Sequence, residues 1–391
     1  MNEETRQFIL EHIDDDIHQL ALQSGKFPLI DTSLAIRQIN GKQKIKSKIP
    51  SFFRNEDILY PAQLSLEQSS SESTAKYKST LCEGKSLTDL TGGFGVDCYF
   101  LSQRFEQVSY VEQNTELCEI AGHNFKVLGC PNIEIHNTTS EKFLTEMLHS
   151  DWIYIDPARR SESGKKTVLL SDCEPNVSAL SKLLQQKASK VMIKLSPMLD
   201  ITAALRELSD TSEIHVISVD NECKEILLIL NSISNENPKI KTINISKNKT
   251  FQIFECNSEK ESACKIEYSS SVEKYLYEPN SSVMKSGLFK SVGSSFSLSK
   301  LHVNTHLYTS LEHKTDFPGR VFEVVKIWGN TKQELKELAL KIPKANISVR
   351  NFPLTVDEIR KKLKIKDGGE IYLFACTLAD GKKAIIECRK A

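Results

Sequence analysis

Between Lys85 and Asn231 the chain alternates between two periodicities. Short runs rich in β-branched and aromatic residues read as buried strands: KSLTDLT (85–91), VSYVEQN (108–114), IEIHN (133–137), WIYID (152–156), KVMIKLSP (190–197), EIHVISVD (213–220) and KEILLILN (224–231). GVDCYFLSQRF (95–105) and TELCEIAGHNFKVLG (115–129) between them carry helical spacing, the second closed by Gly129. Strands separated by helical patterns predict an α/β fold with a doubly wound parallel sheet. The last two runs are joined only by Asn221-Glu222-Cys223, too short for a crossover, so they predict an antiparallel hairpin at the end of the sheet.

The flanks are patterned differently. Residues 3–24 predict one helix with Phe8, Ile9, Ile13, Ile17 and Leu20 on a single face. GKQKIKSKIPSFFR (41–54) reads as a basic, irregular loop. Its Lys42, Lys44, Lys46, Lys48 and Arg54 suit phosphates, and Phe52-Phe53 suit either unpaired bases or a place in the core. SLEQSSSESTAKYKSTLC (65–82) is a serine-rich linker or a weakly amphipathic helix through Leu66, Ala75 and Leu81. Residues 232–318 are rich in Ser, Lys and Asn with short β-like runs such as FQIFEC and KIEYSS, and SSVMKSGLFKSVG (281–293) reads as a helix. After them RVFEVVKIW, TKQELKELALKI, ANISVRNF and TVDEIRKKLKI alternate strand and helix, and IYLFACTLADGKKAIIECRK reads as a hairpin with Gly at its turn. The expected domains are 1–80, 81–235, 236–318 and 319–391.

Composition narrows the class. A chain of 391 residues is long for one core, and 39% apolar with 26% charged residues is an ordinary globular balance. The formal net charge is zero, so a nucleic-acid partner has to be held by a segregated basic face. No run approaches the roughly 18 apolar residues of a membrane span, and MNEETRQFILEHIDDD is too acidic for a signal peptide. Ten cysteines without a C-x-x-C pair, several in apolar runs, predict a reduced, cytoplasmic protein. His302, His306 and His313 lack metal-site companions and read as ordinary polar residues, so no metal is expected.

Chemistry concentrates in two stretches. LTDLTGGFGVD (87–97) puts Asp89 at a strand end, then Gly92, Gly93 and Gly95 before a helix, a turn that lets backbone approach a ligand. Cys98 stands where a dinucleotide fingerprint needs its third glycine, so that reading is broken. Asp89 instead suits a positively charged amino group, as in S-adenosylmethionine, and Glu112 at the next strand end suits two ribose hydroxyls. DWIYIDPARR (151–160) ends the fourth strand at Asp156, on the ligand side of such a sheet.

Residues 85–231 resemble a class I S-adenosylmethionine-dependent methyltransferase. DLTGGFGVD is similar to the D-x-G-x-G-x-G pattern with Thr91 at the first glycine position. It is closer to the D-x-T-x-G-x-G-x-D form of a bacterial ribosomal-RNA guanine-N2 methyltransferase. With VEQN, IDPARR and KLSPMLD (194–200), the whole chain resembles a bacterial family of class I methyltransferases ending in a THUMP-like domain. The resemblance implies a Rossmann-like methyltransferase sheet with an antiparallel last strand. A helical N-terminal region precedes it, and small α+β ferredoxin-like and THUMP-like domains follow. It implies S-adenosylmethionine as cofactor, lined by Asp89, Thr91, Gly92, Gly93, Phe94, Gly95, Glu112, Gln113 and Thr139; IEIHNTTSE offers Asn137, Thr138 and Thr139 near the adenine.

Asp156-Pro157 resembles the first half of the Asp-Pro-Pro-Tyr endings of amino methyltransferases, whose carboxylate and a carbonyl beside the proline accept hydrogen bonds from an –NH2. Ala158 and Arg159 replace the second proline and the aromatic, so stacking between rings is not implied. Arg159 suits stacking on a base or a bidentate phosphate clamp. Arg159, Arg160 and Lys194 are the substrate-binding candidates, with local pairing to Glu162 and Asp172 as the plainer role for the two arginines. No cysteine adjoins Asp156, which argues against pyrimidine C5 methylation. The expected function is methylation of a base nitrogen in RNA, tRNA or rRNA. The alternatives are a protein or small-molecule methyltransferase and a catalytically silent RNA-binding protein. The C-terminal module, with Lys361, Lys362, Lys364, Lys366, Lys382 and Lys383, resembles a THUMP-like domain, a type associated with RNA.

Overall fold

Strands β1 (Gly84–Asp89), β2 (Phe105–Glu112), β3 (Ile133–Asn137), β4 (Ser150–Ile155) and β5 (Ala188–Leu195) are parallel throughout. This is a computed structural model describing residues 2–159, 170–231 and 237–391. Trp152, Ile153, Tyr154 and Ile155 of β4 are all buried, as a central parallel strand covered on both faces requires. The chain divides into two units, Met1–Ser212 with Leu227–Asn235 and Glu213–Ile226 with Glu236–Ala391.

In the first unit the strand order is β7-β5-β4-β1-β2-β3, with β7 (Glu222–Asn231) contributing its second half. The N-terminal region packs through its helices against the glycine turn and the helix Val96–Ser102 that follows it. The single helix expected over 3–24 is two, Glu3–Glu11 and Ile17–Leu22. Asp16 caps the second by accepting the N–H groups of His18 and Gln19, so the aspartate run favours a helix start over a helix interior. Residues 63–79 form two short helices, Gln63–Gln68 and Glu72–Ser79.

The basic loop expected at 41–54 is a correction. Helix Thr32–Lys48 runs through most of it, and Pro50–Phe53 adds a turn. Ala35, Ile39, Ile45 and Ile49 are buried at helical spacing, and the stem of Lys42 lies in the same stripe, its ammonium 5.8 Å from the Phe53 ring. Lys44 pairs with Glu67 at 2.9 Å, and Lys48 donates to the carbonyls of Leu66 and Glu67. Phe52 is in the core, edge-on to Phe94 at 5.5 Å. These cations and rings hold the helical region to itself and to the glycine turn: Ile45, Phe52, Tyr60, Leu66 and Ala75 share one core with Phe94, Val96 and Phe100.

In the second unit β6 (Thr211–Val219) and β7 turn at Asp220-Asn221, one residue earlier than the expected link. Both residues have positive φ, 50° and 65°, the paired left-handed conformation of a type I′ hairpin, so β7 runs antiparallel to β6. β8 (Lys239–Ile245) lies parallel to β6 and β9 (Phe251–Asn257) antiparallel to β8, giving β9-β8-β6-β7.

The same unit holds a seven-stranded sheet of β10 (Tyr275–Pro279), β11 (Ser299–His302), β12 (Thr305–Ser310), β13 (Gly319–Trp328), β14 (Lys344–Arg350), β15 (Lys366–Thr377) and β16 (Lys383–Lys390), in the order β11-β12-β10-β13-β16-β15-β14. The boundary expected at 318/319 falls inside this sheet, since β10 pairs with β13. The expected helix 281–293 is Ser281–Ser286 and Phe289–Ser295, divided at Gly287, whose φ is 77°. Among the described residues no helix is long and apolar enough to cross a membrane.

Candidate active site

The carboxyl ends of β1, β2 and β4 meet over one turn, residues 90–95. Leu90 N–H bonds to Tyr154 O and Gly92 N–H to Val111 O, so the turn is tied to both neighbouring strands at once. Gly92 is required by closeness: a Cβ there would lie 2.2 Å from the Tyr110 ring. Gly93 is required by conformation, with φ 54°. The tip of the Tyr110 side chain donates to Gly93 O at 2.5 Å, bracing the turn from below.

Three carboxylates surround it. Asp89 is buried and accepts Thr91 N–H at 3.0 Å. Burial pushes its carboxyl well above the usual range; the Thr91 N–H partly offsets this, while Asp97, Asp156 and Glu112 add to it. Glu112 accepts Gly93 N–H at 3.0 Å on one oxygen and Asn114 N–H at 2.8 Å on the other. That fixes its position and leaves each oxygen a further lone pair. Asp156 follows β4 with its side chain one-third exposed; its N–H is accepted by Thr91 Oγ1 at 2.7 Å, and its Oδ2 takes Lys194 Nζ at 2.5 Å. Register puts Ile155 beside Ile193, so Asp156 and Lys194 are the next neighbours across the β4–β5 pair.

Behind this face lies an ionic cluster that sequence reasoning missed. Fully buried Lys78, on helix Glu72–Ser79, meets Asp97 Oδ1 at 3.0 Å. Ser70 Oγ and Tyr154 OH donate to Asp97 Oδ2 at 2.6 and 2.8 Å, and Lys194 Nζ lies 3.9 Å from that oxygen. Burial opposes ionisation of Asp97, but Lys78, Lys194 and the two hydroxyls outweigh it and hold its carboxyl below the usual range. A signal was present, since Asp97 closes DLTGGFGVD, but nothing in the sequence pointed to Lys78 as its partner.

The other expected residues are placed less uniformly. Phe94 is buried in the hydrophobic core, which leaves only its backbone to the turn. Gly95 starts helix Val96–Ser102 with φ 82°. Gln113 is exposed, and its carbonyl accepts from Asn137 Nδ2 at 3.1 Å. Thr139 caps helix Ser140–Glu146 by accepting Lys142 N–H. Pro157 is buried. Arg160 and the side chain of Arg159 lie outside the described residues. Among the described residues no group of three or more His, Cys, Asp or Glu is disposed to hold a metal ion; the His306 ring stacks on Phe289 at 3.6 Å.

The donor set fits a small organic cation carrying a diol. A Cβ at Gly93 would meet no atom closer than Thr91 O at 3.8 Å, an ordinary contact. Lys78 and Lys194 balance Asp97 and Asp156, which leaves Glu112 and the buried carboxyl of Asp89 as the acidic groups with no paired cation among the described residues beside Gly93.

The sheet order and this turn define a class I S-adenosylmethionine-dependent methyltransferase. Family models of a ferredoxin-like domain and a THUMP-like domain match residues 275–318 and 319–390. A crystal structure from Porphyromonas gingivalis W83, provisionally described as a methyltransferase, is similar at 34% identity and TM-score 0.89, covering 100% of this chain and 99% of that one. At that identity over its whole length, the chain belongs to the family of the P. gingivalis protein, class I methyltransferases that end in a THUMP-like domain. Two further structures are similar at much lower levels. One is a modification subunit of a provisionally described type I restriction enzyme from Vibrio vulnificus YJ016 (12% identity, 51% of this chain and 56% of that one, TM-score 0.35). The other is TrmK of M. capricolum with S-adenosyl-homocysteine (15%, 41% and 68%, 0.33). No curated protein matches the chain.

Proposed function

We propose that the chain transfers a methyl group from S-adenosylmethionine to a nitrogen of a base in RNA, tRNA or rRNA. The observation that carries this reading is the position of Asp156-Pro157 at the tip of β4, bonded through Thr91 to the glycine turn. Asp89, Glu112 and the backbone of residues 91–95 would hold the cofactor, which supplies an electrophilic methyl group. Asp156 Oδ1, with no bond among the described residues, and the carbonyl beside Pro157 are suited to accept N–H groups of the base. Those bonds aim the nitrogen lone pair and stabilise positive charge as it develops there. Asp156 would also receive the proton the nitrogen sheds.

RNA as substrate is supported in the second unit. Helix Val356–Leu363 buries Ile359 and Leu363 and leaves Lys361 and Lys362 exposed, and Lys364 and Lys366 just beyond it are exposed too, a local run of lysines on a chain of zero net charge. Lys382 pairs with Asp380 and Lys383 donates to Thr377, so these two are engaged locally. The ten cysteines, none joined in a disulfide among the described residues, support a reducing, cytoplasmic setting.

Nucleoside mass spectrometry of RNA from a deletion strain, complemented with wild type or Asp156→Ala, tests the reading. One methylated nucleoside should vanish on deletion and return only with wild type. An unchanged nucleoside profile, with methyl transfer to protein or small molecules instead, would overturn it.

A further inference from the structure

The geometry points to Lys194 as a positioning residue that sets the Asp156 carboxylate for its substrate, not as a substrate contact. The inference rests on the reading of Asp156 given above. Lys194 extends from the carboxyl end of β5 alongside Asp156, and its ammonium lies between two carboxylates, 2.5 Å from Asp156 Oδ2 and 3.9 Å from Asp97 Oδ2. Its side chain is 11% exposed where that of Asp156 is 34% exposed. A lysine that neutralises an RNA phosphate has to present its charge to solvent; this one presents it to the protein.

The two carboxylates differ in freedom. Asp97 is pinned by Lys78 on one oxygen and by Ser70 and Tyr154 on the other, so it cannot turn to follow Lys194. Asp156 has one oxygen on Lys194 and its backbone on Thr91. Lys194 is thus anchored at the rear by a fixed charge and clamps the freer carboxylate in front. Taking Oδ2 leaves Oδ1 as the acceptor for an incoming N–H. A short charged bond of this kind restricts the side chain to one rotamer before substrate arrives. The anchoring extends to Ser70 and Lys78, so the N-terminal helical segment helps to fix Asp97, the rear partner of Lys194.

The test compares Lys194→Met, which keeps the buried stem, and Lys194→Arg, which keeps the charge, with Asp156→Ala and wild type. The substrate is RNA extracted from a strain lacking the gene, with methyl-tritiated cofactor. Lys194→Met should lower kcat at least tenfold while KM for RNA and the cofactor Kd stay within about threefold, and Lys194→Arg should recover most of the rate. A raised KM with unchanged kcat would make Lys194 a substrate contact and overturn the inference, as would unchanged kinetics. A crystal structure of Lys194→Met supplies a readout independent of substrate: Asp156 should be spread over several rotamers, and a single wild-type rotamer overturns the inference. If Asp156→Ala is fully active, the underlying reading fails instead, whatever Lys194 does.

Discussion

The hydroxyl oxygen of Thr91 accepts the backbone N–H of Asp156 at 2.7 Å, joining the glycine turn to the tip of β4 across 65 residues of chain. A glycine at this position, as in the commoner form of the motif, makes no such bond. The threonine couples the two halves of the site, so it sets where Asp156 stands relative to anything held over the turn. Thr91→Val keeps the shape and removes the acceptor. Thermal denaturation should show a loss of about 1 kcal/mol. The methylation rate should fall about tenfold or more, because small misplacements of a reacting group are costly. Cofactor affinity by calorimetry should stay within about threefold, and Thr91→Ser should restore the rate. A valine variant at the wild-type rate would show that this bond does not place Asp156.

Asp89 carries a different prediction. Its carboxyl is raised by burial, so the folded state binds its proton more tightly than the unfolded chain does. Its contribution is fully present below the unfolded pKa of about 3.9 and is lost as pH rises through the folded value. Asp89→Asn removes this loss. Relative to wild type, the variant should gain melting temperature progressively as pH is raised from about 4. The same substitution removes a carboxyl that a bound cation would draw into ionising beside the turn, so cofactor affinity should fall by at least about tenfold, or 1.4 kcal/mol. Scanning calorimetry across pH, paired with binding titrations, checks both halves; a variant that is less stable and binds normally would reverse the reading.

Much of this was legible in the sequence, for a physical reason. WIYID is buried from Trp152 to Ile155, and a continuous apolar run ending in a carboxylate has few interpretations other than a central parallel strand that stops at a ligand site. The strand–turn–helix at 87–97 was legible for the same reason: glycine spacing and apolar pattern agree there. Residues 41–54 were not. Their lysines recur every second residue, which hides the helical stripe of Ile39, Lys42, Ile45 and Ile49, and a lysine whose stem is buried scores as polar. The ionic cluster was illegible because its members are scattered along the chain, and only folding brings Ser70, Lys78, Asp97, Tyr154 and Lys194 together. Phe94 shows the converse: the motif placed its backbone at the turn, while its ring went to the core.

That cluster predicts an asymmetry in stability. Lys78→Met leaves the Asp97 carboxylate buried with one cation fewer and should cost about 3–5 kcal/mol. The Asp97 carboxyl is held below its usual range, chiefly by the two lysines against the opposing effect of burial. Its stabilisation is therefore present above the unfolded pKa of about 3.9 and is lost as pH falls through the lower folded value. Urea denaturation should find Asp97→Asn destabilised at neutral pH and less sensitive than wild type to acidification below about pH 4. A wild type and variant with parallel stability profiles over that range would remove Asp97 as the source.

The exposed lysines of the second unit predict how RNA is held apart from how it is methylated. Lys361 and Lys362, on a helix whose apolar side is already buried, and Lys364 and Lys366 just beyond it have no ion pair among the described residues. Replacing all four with alanine removes surface charge only, so melting temperature should change by no more than a degree or two. Each phosphate left without its lysine should flatten the dependence of log K on log salt by roughly 0.7 for single-stranded RNA. If all four lysines neutralise phosphates, the slope changes by about 3, and affinity at low salt falls more than affinity at high salt. Cofactor binding, which the proposed site assigns to the first unit, should be untouched. Filter binding across a salt series measures the slope directly. An unchanged slope with intact methylation would move the RNA-holding charge elsewhere on the chain.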